Sequence, residues 1–536
     1  MAVFFLLFAS LIFKLYNLQI EKGGYYAARA EAQIVRAGFL EPRRGTIYFT
    51  DKHDNLIPAA LNKEYPIVFA VPKKVSDPAA TAKLLAPILN LEATTLGAVL
   101  GKTDDAYELL AVKITAEQAA KVKDANLKGV YIDNQEFRFY PFQNLSAHVL
   151  GFIGASDKDA ETRGRYGLES YFDTELRGRR GSASGEGASE PSDGRNLVLT
   201  IDRNIQAEAE AILAKYIDKN RATSGTVIVE DPATGKILAL ANKPDFEPNN
   251  YSESPVKNFL NTAVETIYEP GSVFKVITMS AGLDSGRITP ETTVNDTGSV
   301  VLNNKRIANW NDKAYGEVTM TEIIENSINT GAALTVKKIG YDIFYDYIVR
   351  FGFDEKTGIS LPGEVKSSLK SLKNKPRDIN FATAAFGQGI AVTPIGLTRA
   401  ISAIANKGVL MKPYLLEDEQ PTVMRRVMSA AAAAEVTKMM VSAVKKAAVG
   451  QIPNFEIAGK TGTAQIPDFK TGGYTNDLIH TFVGFAPASN PKFTILFKID
   501  KPQVGPLAGF TVVPAFRELA EFIVNYYNIP PDNLQN

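Results

Sequence analysis

From Ala2 to Phe13 the chain is uncharged and strongly apolar, and after Lys14 the same character continues through Leu15, Tyr16, Leu18 and Ile20. A run of this length approaches the ~20 residues that span a bilayer, so it predicts an uncleaved anchor over residues 1–20 with Lys14 snorkelling to the interface. Ala28-Arg29-Ala30, which has the form of a cleavage site, lies beyond Glu21 and Lys22 and too far from the apolar run to serve it. No Lys or Arg precedes the run.

The pattern then changes to short periods. Tyr65-Pro66-Ile67-Val68-Phe69-Ala70 reads as a strand, residues 78–123 have helical spacing of Ala, Leu and Lys, and Arg138-Phe139-Tyr140-Pro141 opens another extended piece. The run from Gly181 to Ser192, rich in Gly, Ser and Glu, cannot bury a core and reads as a linker over 181–195. Beyond it Asn196–Ile201 is a strand, Asp202 caps a helix running to about Tyr216, and Thr226–Glu230 with Lys236–Leu240 make a hairpin around Asp231-Pro232-Ala233-Thr234-Gly235. Thr319 and Glu322 form a capping box. Phe455–Lys460, Thr481–Phe485 and Phe493–Phe497 read as strands, and Phe516–Tyr527 as a closing helix. The predicted organisation is an anchor at 1–20, a non-catalytic β-rich domain at 21–180, a linker at 181–195 and an α+β domain at 196–530.

Composition narrows the function. Among 536 residues, 59 basic and 59 acidic side chains leave no net charge, so nothing marks a nucleic-acid surface. With no cysteine and three histidines (His53, His148 and His480), the usual zinc sites and a thiol nucleophile are not available.

Candidate chemistry centres on Glu269-Pro270-Gly271-Ser272-Val273-Phe274-Lys275. A helix starting at Pro270 or Gly271 puts Ser272 and Lys275 on one face, with the serine at a helix N-terminus that favours developing negative charge. Lysine accepts a proton only when neutral, which predicts a crowded, cationic pocket around it. The same spacing recurs at Ser254/Lys257, Ser367/Lys370 and Ser442/Lys445, so spacing alone selects nothing. Ser327-Ile328-Asn329 is the chain's one Ser-x-Asn; either it relays a proton and holds a substrate amide, or it turns the chain before Gly331. Lys-Thr-Gly occurs at Lys356, Lys460 and Lys470, but only Lys460 continues a strand; there Lys460 and Gly462 face one side and Thr461 and Thr463 the other. A phosphate-binding loop at Gly459-Lys460-Thr461 lacks its first glycine, where Asn454 stands. No Gly-x-Ser-x-Gly elbow exists, and His480 reads as a structural strand-end residue.

Ser-x-x-Lys at Ser272, Ser-x-Asn at Ser327 and Lys-Thr-Gly at Lys460, in that order, form the trio of penicillin-binding proteins and β-lactamases. With Arg44-Gly45-Thr46-Ile47, Gly167-Leu168-Glu169, Leu199-Thr200-Ile201-Asp202, Gly387-Gln388-Gly389, Thr393-Pro394 and Ala458–Gln465, the chain resembles a class B penicillin-binding protein of the division-transpeptidase kind over nearly its whole length. The resemblance implies an anchor helix, a pedestal or dimerisation-type domain, and a transpeptidase domain whose antiparallel sheet is flanked by helices. It implies cross-linking of peptidoglycan stem peptides through an acyl-enzyme on Ser272, with Lys275 as base, Ser327 and Asn329 as proton-relay and substrate-amide residues, and Lys460 and Thr461 receiving the substrate carboxylate. Backbone N–H groups of Ser272 and Thr463 match the family's oxyanion hole, β-lactams are the expected inhibitors, and the resemblance implies no metal or organic cofactor. A β-lactamase, a D,D-carboxypeptidase, a penicillin sensor and an inert division scaffold are the alternatives. No glycosyltransferase region lies ahead of Arg44, which implies a SEDS-type membrane polymerase and other division or elongation proteins as partners. The implied location is a single-pass protein of the cell membrane with its catalytic domain outside the cytoplasm, and the Ser-x-Asn form leans toward a septal role.

Overall fold

The computed structural model of the chain describes residues 2–21, 42–102, 104–155, 162–181, 190–468 and 470–532. At the N-terminus, helix α1 (Ala2–Tyr16) passes into a π-helical turn, Asn17–Glu21. Among the described residues no helix is long and apolar enough to cross a membrane. Of the expected linker, residues 182–189 lie outside the described residues, while Arg179 and Ser192 exchange backbone hydrogen bonds at 2.9 Å.

Two compact units emerge, and they are not sequential blocks. One comprises residues 1–46, 60–139 and 174–196; the other takes 47–59, 140–173 and 197–536. The long strand Ile57–Ala70 belongs to the first unit from Ala60 onward, where it pairs antiparallel with Val130–Phe139, from Leu61 opposite Phe139 to Ala70 opposite Val130. The extended piece expected to open at Arg138 therefore ends there. The stretch expected to be helical holds helices Pro78–Leu89, Ala93–Leu100 and Ala116–Asp124, interrupted by a short strand, Glu108–Ala111, beside Val68–Ala70. Helical and strand periods cannot be told apart over so short an apolar run, and pairing with the neighbouring strand decides the outcome. Leu85 and Leu89 of the first of these helices and Leu96 and Leu100 of the second are buried in one cluster with Val68 and Ala70.

The second unit is organised on an antiparallel five-stranded sheet. In spatial order its strands are Ala458–Pro467, Tyr474–Ala486, Phe493–Asp500, Ser224–Glu230 and Ile237–Lys243. Both faces are covered, which explains why the strands read as unbroken apolar runs. Alternation still decides which core each residue joins: Phe482, Ile495 and Phe497 pack on one side with the helices Arg203–Asn220 and Ala508–Tyr526, while Val483 and Leu496 pack on the other with Lys275–Asp284, Pro394–Ala405 and Ala430–Ala447. The capping side chain Asp202 accepts from Asn204 N at 2.8 Å and Ile205 N at 3.1 Å, as its position predicts. The Thr319–Glu322 capping box is present too, opening the helix Met320–Glu325.

Candidate active site

Ser272 does not open a regular α-helix. It stands in a 3-10 turn, Gly271–Phe274, from which the α-helix Lys275–Asp284 continues. In 3-10 geometry residues three apart eclipse one another, and this brings Lys275 Nζ to 3.0 Å from Ser272 Oγ. The turn is entered through Gly271 at φ +58°, where a Cβ would also sit 2.9 Å from Thr463 O.

Lys275 has no exposed surface. Its Nζ reaches Ser327 O at 2.6 Å, Asn329 Oδ1 at 2.8 Å and Ser327 Oγ at 3.2 Å. A neutral amine has two N–H donors and one lone pair. Ser327 O and Asn329 Oδ1 are acceptors only and take both donors, so the lone pair is left for a hydroxyl proton, that of Ser272. Burial first, and the charge of Lys460 second, hold Lys275 well below the usual lysine range. Burial also lowers Lys460, to about 7.

Lys460, itself buried, donates to Ser327 Oγ at 3.0 Å and to Thr461 O at 3.1 Å. One hydroxyl therefore lies between two lysines. Ser327 adopts φ +56°, a left-handed conformation that costs a non-glycine residue about 1–2 kcal/mol. With Ser327 held this way, both its carbonyl and its hydroxyl lie within hydrogen-bonding reach of Lys275 Nζ.

Strand pairing fixes the third element. Lys460 lies opposite Val483, Thr461 opposite Phe482 and Thr463 opposite His480. Lys460 and Gly462 are buried, whereas Thr461 and Thr463 are half-exposed and line the cleft. A Cβ on Gly462 would meet Pro270 O at 2.5 Å, so glycine lets this strand lie against the turn that carries Ser272. The resulting cleft, about 760 Å³ in volume, is bordered by Ser272, Ser327, Asn329, Lys460, Thr461 and Thr463.

The structure brings all eight sequence-selected residues to this place and sets their look-alikes elsewhere. Lys257 and Lys370 are exposed; Ser442 is hydrogen-bonded to Glu325 and Lys445 is paired with Glu456. Lys470 stands in the loop joining the first two sheet strands, and Thr357 is tied to Glu364. His480 is fully buried, contacts Thr511 Oγ1 at 2.9 Å through Nδ1 and is lowered to about 4 by burial. It is a structural group.

Sequence reasoning missed the support beneath Asn329. Asn309 Oδ1 accepts from Asn329 N at 2.9 Å and Thr330 N at 3.1 Å, fixing the start of the helix Asn329–Ile339. Asn309 Nδ2 donates to Asp296 Oδ2 at 2.9 Å, and Asp296 also accepts from Thr330 Oγ1. Asn309 comes from a loop about twenty residues upstream, and no spacing rule links it to Asn329. Among the described residues no group of His, Cys, Asp and Glu is placed to hold a metal ion.

Comparison with known proteins agrees with this geometry. The penicillin-binding protein transpeptidase domain matches residues 225–521, and the penicillin-binding protein dimerisation domain matches residues 39–199. The chain is similar to stage V sporulation protein D of Bacillus subtilis, at 31% identity over 95% of this chain and 83% of that protein. It is also similar to peptidoglycan D,D-transpeptidase FtsI of Escherichia coli, at 29% identity over 96% of this chain and 89% of that one. Among solved structures, a peptidoglycan synthetase from Bifidobacterium adolescentis superposes with a TM-score of 0.72 at 26% identity, covering 93% of this chain and 98% of its own. Penicillin binding protein 3 from Mycobacterium tuberculosis, complexed with aztreonam, gives 0.72 at 25%, covering 92% and 98%. With both domains matched and the three motifs gathered around one cleft, the chain belongs to the class B penicillin-binding proteins.

Proposed function

We propose that this cleft performs peptidoglycan D,D-transpeptidation through an acyl-enzyme on Ser272. The observation that carries the reading is the buried Lys275 amine, whose two donors are taken by Ser327 O and Asn329 Oδ1 and whose lone pair faces Ser272 Oγ at 3.0 Å. Neutral Lys275 takes the Ser272 proton as Oγ bonds to the carbonyl carbon of the D-Ala-D-Ala amide. The oxyanion that forms faces the backbone N–H groups of Ser272 and Thr463; one such donor is worth ~3–4 kcal/mol in the transition state. The C–N bond then breaks, and the Lys275 proton passes through Ser327 Oγ, 3.2 Å away, to the departing D-Ala amine. An acceptor stem peptide's amine attacks the resulting ester and gives its proton back along the same route as Ser272 Oγ leaves. Asn329 holds the donor peptide's amide, Lys460 and Thr461 receive its carboxylate, and Gly462 admits the strand to the turn. β-Lactams acylate the same hydroxyl.

The remaining organisation belongs to the same proposal. The apolar run from Ala2 to Phe13, extended past Lys14 by Leu15, Tyr16, Leu18 and Ile20, supports a single membrane anchor, with a pedestal over 21–180, a linker over 181–195 and the catalytic domain over 196–530 outside the cytoplasm. Glycan polymerisation falls to a SEDS-type partner during division. The experiment is partition of a stem-peptide thioester ending in D-alanyl thioglycolate: added D-amino acid should appear as a new amide at the expense of hydrolysis. Hydrolysis alone, unaffected by acceptor, marks a carboxypeptidase; rapid turnover of penicillin marks a β-lactamase.

A further inference from the structure

Glu269, three residues before the nucleophile, is nine-tenths buried, and both its carboxylate oxygens are committed. Oε1 accepts from the backbone of Gly389 at 3.0 Å, and Oε2 accepts from Tyr474 Oη at 3.0 Å. Burial raises its pKa, a cost offset in part by these two donors. Gly389 and Tyr474 belong to the two segments that wall the turn bearing Ser272. The segment of Gly389 runs along that turn: Tyr268 and Val392 exchange backbone hydrogen bonds at 3.0 and 2.8 Å, and Gly271 N donates to Gly387 O at 3.1 Å. Tyr474 begins the second sheet strand opposite Pro467 and closes the hairpin whose other arm carries Lys460, Thr461 and Thr463.

We propose that Glu269 is a positioning residue for acylation, a clasp that holds the nucleophile turn, the Gly387–Gly389 loop and the Lys460 hairpin in register. It touches no reacting atom; it acts through the separation between Ser272 and Thr463. The Gly462–Pro270 contact, at 2.5 Å for an added Cβ, shows how little room exists for error in that separation. The role follows from geometry rather than charge. Glutamine at this position keeps an acceptor for Gly389 N and offers an N–H to Tyr474 Oη. Tyr474 is 41% exposed, so loss of its hydroxyl removes the clasp without opening a core.

The inference rests on Ser272 as the acylated residue, and the test separates the two. Acylation of the full chain by a fluorescent penicillin is followed by stopped flow in Glu269→Ala, Glu269→Gln, Tyr474→Phe and the Glu269→Ala/Tyr474→Phe double variant, with Ser272→Ala as control. A displacement of the order of 1 Å costs up to about a hundredfold, so Glu269→Ala should lose between about ten- and a hundredfold in the chemical step with initial binding unchanged. Tyr474→Phe should lose about fivefold at an unchanged melting temperature, the double variant should be no slower than Glu269→Ala, and Glu269→Gln should recover to within about threefold of the parent protein. Wild-type kinetics in Tyr474→Phe, additive losses in the double variant, or a loss confined to initial binding overturns the clasp while Ser272→Ala stays unlabelled. A labelled Ser272→Ala overturns the acylation reading itself.

Discussion

Replacing Lys460 by glutamine tests how the protein keeps its base neutral. The two lysine nitrogens share Ser327 Oγ as partner, at 3.2 Å for Lys275 and 3.0 Å for Lys460, so they stand at most about 6 Å apart. At an effective dielectric of ~20, two unit charges at about 6 Å repel by roughly 3 kcal/mol, or about 2 pKa units. Lys460, lowered to about 7, is charged on the acid side of neutrality, and that charge adds to burial in holding Lys275 well below the usual lysine range. Removing that charge stabilises the Lys275 ammonium and raises its pKa. Less neutral base is then present at a given pH, and the acid limb of acylation moves upward. The assay is the second-order rate of acylation by penicillin between pH 4 and 9 for the parent protein and Lys460→Gln, fitted for limb position apart from plateau height. The plateau should fall through lost carboxylate binding, and the limb should rise by about 1–2 units. A lower plateau with an unmoved limb, or a limb moved downward, refutes Lys460 as the positive neighbour.

Other perturbations separate stability from chemistry. Ser327→Gly relieves the left-handed strain and should leave the melting temperature equal or higher, while acylation falls by about a hundredfold or more with loss of the relay hydroxyl; a variant as active as its parent contradicts that role. Gly462→Ala forces a Cβ to within 2.5 Å of Pro270 O and should cost about 1–3 kcal/mol in denaturant unfolding, with slower penicillin labelling. Asn309→Ala takes one donor from the buried Asp296 carboxylate and leaves the Asn329 and Thr330 amides without their acceptor, so about 1–3 kcal/mol of stability should go with a drop in acylation; unchanged labelling would show that Asn329 keeps its place unaided.

Local rules in the sequence reached far into this structure where a side chain satisfies its own backbone or a strand announces its pleat. Asp202, Thr319 and Glu322 cap where expected, and the alternation at Lys460, Thr461, Gly462 and Thr463 follows from strand period alone. The trio of motifs was legible because its context, not its spacing, set Ser272 apart from Ser254, Ser367 and Ser442. What escaped was non-local. The 3-10 form of the turn at Gly271–Phe274 is imposed by packing against Thr463 and Gly387, and the Asp296–Asn309–Thr330 support joins segments whose order in the chain carries no periodic signal. The strand Glu108–Ala111 was hidden because only its partner, Val68–Ala70, distinguishes it from one more helical turn. The interleaving of residues 47–59 and 140–173 with the catalytic unit is likewise a property of pairing, as in the parallel match of Ile47 with Leu197.

One hydroxyl, that of Ser272, should be acylated because Lys275 can take its proton. The most direct measurement is intact-mass and peptide mass spectrometry after brief exposure to penicillin. A single adduct of one penicillin mass should appear on the peptide holding Ser272, lost in Ser272→Ala and slowed by several orders of magnitude in Lys275→Ala, with Ser254, Ser367 and Ser442 unmodified. An adduct on any other residue, or undiminished labelling in Lys275→Ala, would contradict it.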